Sequence, residues 1–452
     1  MSRVIPLMAV ALAALLANAA PSFAQTPAAP DSLLDDYLGR MRDSTDVWFG
    51  MSAAPLDTTG LDSALVGGLA RGSDSNAAAR ARRAGRITFS PSLAFTRVDG
   101  GVVGAEASVG SARLLGRLNG TLEYALAAEE WLGGVAYAKR WTKPYEDGAW
   151  VLRGSASRRT DSFDRDHFNP QFAYVSAFLG GGDRNTYLTR TGVDALLERL
   201  TSGWSLFAGI RDHAEHARVT STEWTVLGVG PDPLLNAPAA EGRAREARFG
   251  GRLSLPRLPW TLEAQHWTSG RQLASDFTYR RTRVAVAGDI GLFDRVALVP
   301  QFEWGRLKGD ALPQQAFYMG GTPNLRTYDR NERVGSGRAV MQADLLYVGD
   351  ALTRLGVPHP AWLPLSFGVF GNVGAVWGID PVTGLAAASD RAWPDSGDWK
   401  SEAGIMMLWR IGVPDPDAAV RFDYAVPVGP EDERVPSFTI SFQKSLGMLR
   451  VR

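Results

Sequence analysis

Three short stretches of this 452-residue chain gather side chains of the kind that build reactive sites. His213-Ala214-Glu215-His216 sets a carboxylate between two imidazoles. The His-Glu-x-x-His arrangement of zinc hydrolases brings both ligands to one helix face beside a base. Here the histidines are three apart, and in a strand that spacing sends them to opposite faces. Asp161-Ser162-Phe163-Asp164-Arg165-Asp166-His167 holds hydroxyl, acid and imidazole together. It lacks the Gly-x-Ser-x-Gly elbow that presents a nucleophile, so it reads as a solvated loop. Gly180-Gly181-Gly182-Asp183 has no Gly-Lys-Ser/Thr continuation and reads as a turn, not a phosphate loop. Cysteine is absent and histidines number five, which excludes disulfides and thiolate metal sites. The expectation is a protein that is not an enzyme, with no metal and no cofactor.

The elements that carry these residues point elsewhere. Lys plus Arg and Asp plus Glu each number 48, a balance that argues against a nucleic-acid partner. At the N-terminus Arg3 precedes the apolar stretch Val4 to Ala20, and Ser22-Phe23-Ala24 offers small residues where a signal peptidase reads. This predicts a signal peptide over 1–24 with cleavage after Ala24. Residues 25–85 open with Thr26-Pro27-Ala28-Ala29-Pro30, and Leu33, Leu34, Tyr37, Leu38 and Met41 suggest one short amphipathic helix. We read 25–85 as a periplasmic tail, partly disordered, 86–446 as one barrel domain and 447–452 as a C-terminal extension.

Past Ile87 the chain alternates with period two. Val420, Phe422, Tyr424 and Val426 alternate with Arg421, Asp423 and Ala425; Ala403, Ile405 and Met407 alternate with Glu402 and Gly404. Ionic groups recur on one face (Arg153, Asp194, Glu246, Arg252, Glu263, Glu303, Asp344), and the other face ends in Trp131, Trp204, Trp260, Trp304, Trp377 and Trp409. Charges suit a water-filled lumen and the aromatics suit the two girdles of a membrane barrel. The fold class is therefore an all-β, transmembrane antiparallel barrel. Strand starts near Val102, Leu115, Trp131, Trp150, Tyr187, Trp204, Ser221, Ala244, Trp260, Phe277, Val296, Arg338, Ser366, Ser401, Ala418 and Val435 predict sixteen strands between Gly101 and Lys444.

The segment Ala316 to Arg330 reads AFYMGGTPNLRTYDR. It resembles the sixth-loop signature of the outer-membrane assembly-factor superfamily, which includes BamA, TamA, the two-partner-secretion pores and the bacterial surface antigen barrels. Gly320 and Gly321 match its glycine pair, and Leu325, Arg326 and Tyr328 match its Val/Leu-Arg-Gly-Phe/Tyr; Thr327 stands where that family has glycine. The likeness continues through Gly337–Val348, through Phe367–Trp377 with Asn372 in place of an aspartate, and through Phe422-Asp423-Tyr424-Ala425-Val426-Pro427. It is similar to a barrel-only member, because 25–85 is too short for the periplasmic POTRA modules that receive clients.

The resemblance implies protein insertion or translocation at the outer membrane of a Gram-negative-type bacterium, with membrane lipid and client polypeptides as partners. The alternative function is a passive or gated pore. It also implies that Arg326 sits at a loop tip folded into the lumen. By side-chain parity Arg338, Gln342 and Asp344 face inward, with Ala343, Leu345 and Tyr347 towards lipid. Asp344, then Glu303, are the expected carboxylate partners of Arg326, with Asn372 nearby as an acceptor only.

Overall fold

The computed structural model describes residues 87–111, 116–141, 148–163, 185–222, 236–255, 259–293, 295–321, 324–347, 349–360, 363–410, 418–429 and 434–444. The signal peptide, the tail, 180–183 and the extension past 446 lie outside the described residues.

The strands are β1 (Thr88–Thr96), β2 (Gly100–Ser111), β3 (Gly116–Ala125), β4 (Glu130–Trp141), β5 (Ala149–Ser162), β6 (Tyr187–Leu200), β7 (Trp204–Ala217), β8 (Gly242–Leu255), β9 (Trp260–Ser269) and β10 (Tyr279–Gly288). They continue as β11 (Ile290–Phe293), β12 (Val296–Gly309), β13 (Phe317–Met319), β14 (Arg333–Gly335), β15 (Gly337–Tyr347), β16 (Leu365–Trp377), β17 (Trp399–Arg410), β18 (Ala418–Pro427) and β19 (Ser437–Lys444). Each long strand pairs antiparallel with the next, from β1–β2 through β9–β10, then β10–β12, β12–β15 and on to β18–β19. The short β11 extends β10 along the base of β12, and β13–β14 is a separate hairpin. The result is an all-β barrel wall of sixteen long strands.

That count equals the expected one through two differences that cancel. β1 precedes the first expected start, because Pro91 interrupts its donor series and hides the strand in the sequence. Of the strand expected from Ser221, only Ser221 and Thr222 are among the described residues, and they lie outside the sheet. β7 pairs directly with β8, and Ser221 and Thr222 instead donate to the Arg97 carbonyl in the β1–β2 turn. Asp161 and Ser162, expected in a loop, end β5.

Antiparallel alternation puts the connections after β1, β3, β5, β7, β9, β12, β16 and β18 at one end, called here the loop end. The outward face is apolar and exposed, with Val135, Ile210, Val369 and Ile405 among its residues. Trp131 is 61% exposed there. Strand direction sorts the tryptophans into two rows: Trp131, Trp304 and Trp377 towards the loop end, Trp204, Trp260 and Trp409 towards the other.

The inward face is charged and paired. Arg153 meets Glu198 at 3.3 Å, Arg211 meets Asp194 at 3.0 Å and Glu246 at 3.4 Å, and Arg283 bridges Glu263 and Glu303 at 3.1 Å each. Buried charges must be paired in this way, since an isolated one is very costly.

Candidate functional site: a loop held inside the barrel

The chain between β12 and β15, residues 310–336, is polar enough to be a surface loop, yet many of its described residues are buried. Gln314, Gln315, Phe317, Met319, Leu325, Arg326, Thr327 and Tyr328 all lose nearly all solvent exposure. Local chemistry folds it inward. Pro313 opens a 3-10 turn over Pro313–Gln315, and the β13–β14 hairpin returns the chain. Gly320 and Gly321 carry φ of 119° and 75°, where a side chain is strained. A Cβ on Gly320 would also lie 2.1 Å from the Asp329 carbonyl oxygen. The Gly321 amide donates to the Leu325 and Tyr328 carbonyls at 2.9 and 3.0 Å, and the Tyr328 amide donates to the Leu325 carbonyl at 3.2 Å. The glycine pair therefore clamps a tight turn with Arg326 and Thr327 at its tip.

That tip docks on β17 and β18. Arg326 Nε donates to Asp423 Oδ2 at 2.8 Å and Nη1 to Glu402 Oε1 at 3.4 Å. The guanidinium lies 4.3 Å over the Phe370 ring, a cation–π placement. Thr327 gives Glu402 Oε2 two more hydrogen bonds, from its amide at 2.8 Å and its hydroxyl at 3.1 Å. Asn372 Nδ2 donates to Glu402 Oε1 at 2.7 Å. Arg421 joins Asp423 at 2.7 Å to Asp344 at 2.5 Å. Two guanidiniums thus face three carboxylates, and each charged group is buried. Beneath them Leu346, Phe370, Met406, Leu408 and Ala425 form an apolar floor.

The other end of the loop rests on β7 and β8, seven strands away along the wall. Gln314 Nε2 donates to Glu215 Oε2 at 3.1 Å and to the Ala240 carbonyl at 2.8 Å; Gln315 Nε2 donates to Glu246 Oε1 at 3.3 Å. Between the ends, Arg281 donates to the Gln315 carbonyl at 3.0 Å and lies 4.2 Å over Phe317. Phe317 itself packs where Gly305 leaves room: a Cβ there would lie 2.2 Å from the ring. Arg338 Nη1 holds the Tyr318 carbonyl at 2.7 Å. The loop is a brace across the interior.

Among the expected site residues, Gly320, Gly321, Leu325, Arg326 and Tyr328 come together at this tip. The expected partners need correction. Asp344 and Glu303 do face inward, but Asp344 is held by Arg421, and Glu303 by Arg283 and Arg338. Arg326 reaches past them to Glu402 and Asp423. Asn372, expected as an acceptor, acts as a donor. Thr327, which departs from the family glycine, has no positive φ, since Glu129, Ala274 and Asn331 are the described non-glycine residues that do. Its hydroxyl adds a bond that glycine cannot make.

His213 and Glu215 face inward from β7 and are buried, whereas His216 faces out. Glu215 accepts from Arg190 Nε at 2.8 Å, and Asp161 also pairs with Arg190. Both acids are ion-pair members of the wall.

No protein-family model and no curated protein sequence matches the chain. Several solved structures are similar to it. BamA from Haemophilus ducreyi lacking POTRA domains 1–3 is 13% identical, with 79% of this chain and 70% of that one covered and a TM-score of 0.49. CdiB from Acinetobacter baumannii is 10% identical over 79% and 58%, with a TM-score of 0.37. The outer membrane protein OpdK from Pseudomonas aeruginosa is 12% identical over 79% and 96%, with a TM-score of 0.36.

Proposed function

We propose that this chain is a loop-plugged outer-membrane barrel of the assembly-factor type, which handles polypeptides at its wall instead of passing solutes through its bore. The observation that carries the reading is the brace of residues 310–336, fixed at its tip by Arg326 on Glu402 and Asp423. A pore lined by charges conducts if its centre is open; here the centre holds a packed loop with an apolar floor beneath it. No group in the brace acts as acid, base or nucleophile in this reading, and none is offered as catalytic. In this reading the signal peptide is removed after Ala24, the mature N-terminus lies in the periplasm and the loop end faces outward, in keeping with long extracellular loops on bacterial barrels.

The test is reconstitution in vesicles with a denatured small β-barrel protein as client. Accelerated membrane insertion of the client, relative to empty vesicles and to vesicles holding an unrelated porin, is the expected result. Equal rates in all three would reject the assembly role. A large, steady solute leak from the wild-type vesicles would favour the pore reading.

A further inference from the structure

The connection between β16 and β17 does something the inward loop does not: it lies on the outside of the wall. The Gly378 carbonyl accepts from the Ala387 amide at 2.8 Å, which turns the chain back over the outward residues of β16, β15 and β12. Register fixes that face. Trp377 is level with Gly337, Ala339 with Trp304, and Ala375 with Trp399, all on the parity of exposed Val369 and Ile405.

Four consecutive carbonyls of this strap are met by side chains of the wall. Arg306 Nη2 donates to Ser389 at 3.3 Å and also to Asp390, Trp377 Nε1 donates to Arg391 at 3.1 Å, and Trp304 Nε1 donates to Ala392 at 3.1 Å. Some of its amides are also met, Arg391 by the Ser389 hydroxyl at 3.2 Å and Asp395 by Asp398 Oδ2 at 2.8 Å. A loop bathed in water has no need of such a series. Backbone beside hydrocarbon does, because nothing else there can satisfy it.

The strap's side chains sort in the same way. Pro394 is buried. Trp393 stands 6.2 Å from Phe302 and 6.1 Å from Trp399, yet it is 50% exposed. Arg391, Asp395 and Asp398 pair among themselves at the exposed edge. The bed is cut to fit: a Cβ on Gly337 would sit 2.1 Å from the Trp377 indole. An apolar side against the wall, an exposed indole and a charged rim are what the boundary between headgroups and acyl chains accommodates.

We propose that residues 387–399 form an interfacial strap that anchors the β12–β17 wall in the lipid headgroup zone, with Trp393 inserted at the headgroup–acyl boundary. The inference rests on the outer-membrane placement but not on the assembly role. Because the chain has no cysteine, a Trp393→Cys variant carries a single thiol for a bimane reporter in phosphatidylcholine vesicles. Quenching should be strong with a shallow nitroxide lipid, weaker with a deep one and least with aqueous iodide. Ala392→Cys, also exposed, serves as a second reporter. Val369→Cys, in the open outward face, should be quenched by the deep nitroxide, and Val382→Cys, 90% exposed, by iodide. If position 369 responds to deep lipid while 392 and 393 respond to iodide alone, the strap is aqueous and the proposal fails. Oxidative dimerisation of the unlabelled Trp393→Cys variant would overturn it too, in favour of a second copy of the chain. Iodide quenching at position 369 would reject the membrane placement itself.

Discussion

The inner faces of β5–β8 and of β15–β18 are built from the same materials, buried arginines and carboxylates, yet they treat the loop differently. On β5–β8 the charges are satisfied by one another: Arg190 with Asp161 and Glu215, Arg211 with Asp194 and Glu246, Arg248 with Asp194. The loop adds two neutral amides there, from Gln314 and Gln315. On β15–β18 the wall is short of cations, and Arg326 of the loop completes it. One end of the brace is therefore a lock and the other a rest. A charge missing from one wall makes the loop part of that wall.

The largest effect should follow from Arg326→Ala. It leaves Glu402 and Asp423 short of a buried partner, a defect that costs about 3–5 kcal/mol in comparable pairs. The heat-modifiability midpoint should fall clearly below wild type. Asp423→Asn should fall in the same direction, and Arg326→Ala/Asp423→Asn should be far less than additive, as expected for residues in one network. Strict additivity would show that the two groups do not act on each other.

At the opposite wall Gln314→Ala removes hydrogen bonds without stranding a charge, so about 1–3 kcal/mol is expected. The barrel should stay closed, while proteolysis or hydrogen exchange should show the Pro313–Gln315 turn loosened. A Gln314→Ala variant as damaged as Arg326→Ala would erase the distinction between lock and rest.

Thr327→Val keeps the branched shape and deletes one hydroxyl bond to Glu402, with an expected loss of about 1 kcal/mol. Thr327→Gly should be at least as destabilising, since it loses the same bond and frees the unfolded chain. Greater stability in the glycine variant would mean that the family residue suits this turn better than threonine does.

The smallest effect belongs outside both walls and serves as a control. In the β15–β16 connection the Val357 carbonyl, at 2.9 Å, and the Asp350 carboxylate, at 2.6 Å, raise the His359 imidazole above its ordinary value. Hydrogen bonds from Thr353, and then from His359, lower Asp350. The histidine's contribution is full below its ordinary value of about 6.5 and fades as pH rises through the raised one. The aspartate's is present above about 3.9 and fades as pH falls through the lowered one. The turn is tightest between those limits. NMR titration should place the His359 midpoint above about 6.5, and Asp350→Asn should bring it down without changing channel behaviour.

Period-two alternation carries most of the fold, because a wall with water on one side and lipid on the other writes its two faces into the residues. Parity placed Arg338, Gln342 and Asp344 inward correctly, and Glu402 and Asp423 were equally legible as inward-facing. The sequence does not say which inward carboxylate is still short of a cation. Asp344 and Glu303 are nearer to Arg326 along the chain but already taken by Arg421, Arg283 and Arg338. That is settled by cross-strand register, not by distance in sequence. The strap of 387–399 has no period at all, so only the fold reveals that Trp393 lies outside the wall. Ser221 and Thr222 show the converse: where alternation predicts a strand start, both amides donate to the Arg97 carbonyl instead of joining a ladder.

Planar-bilayer conductance of wild type beside Arg326→Ala tests the lock most directly. Wild type should show a small, mostly closed current, and the variant should show frequent large openings as the loop tip leaves Glu402 and Asp423. A wild-type protein that is steadily open, or an Arg326→Ala trace that matches a closed wild type, would contradict the account.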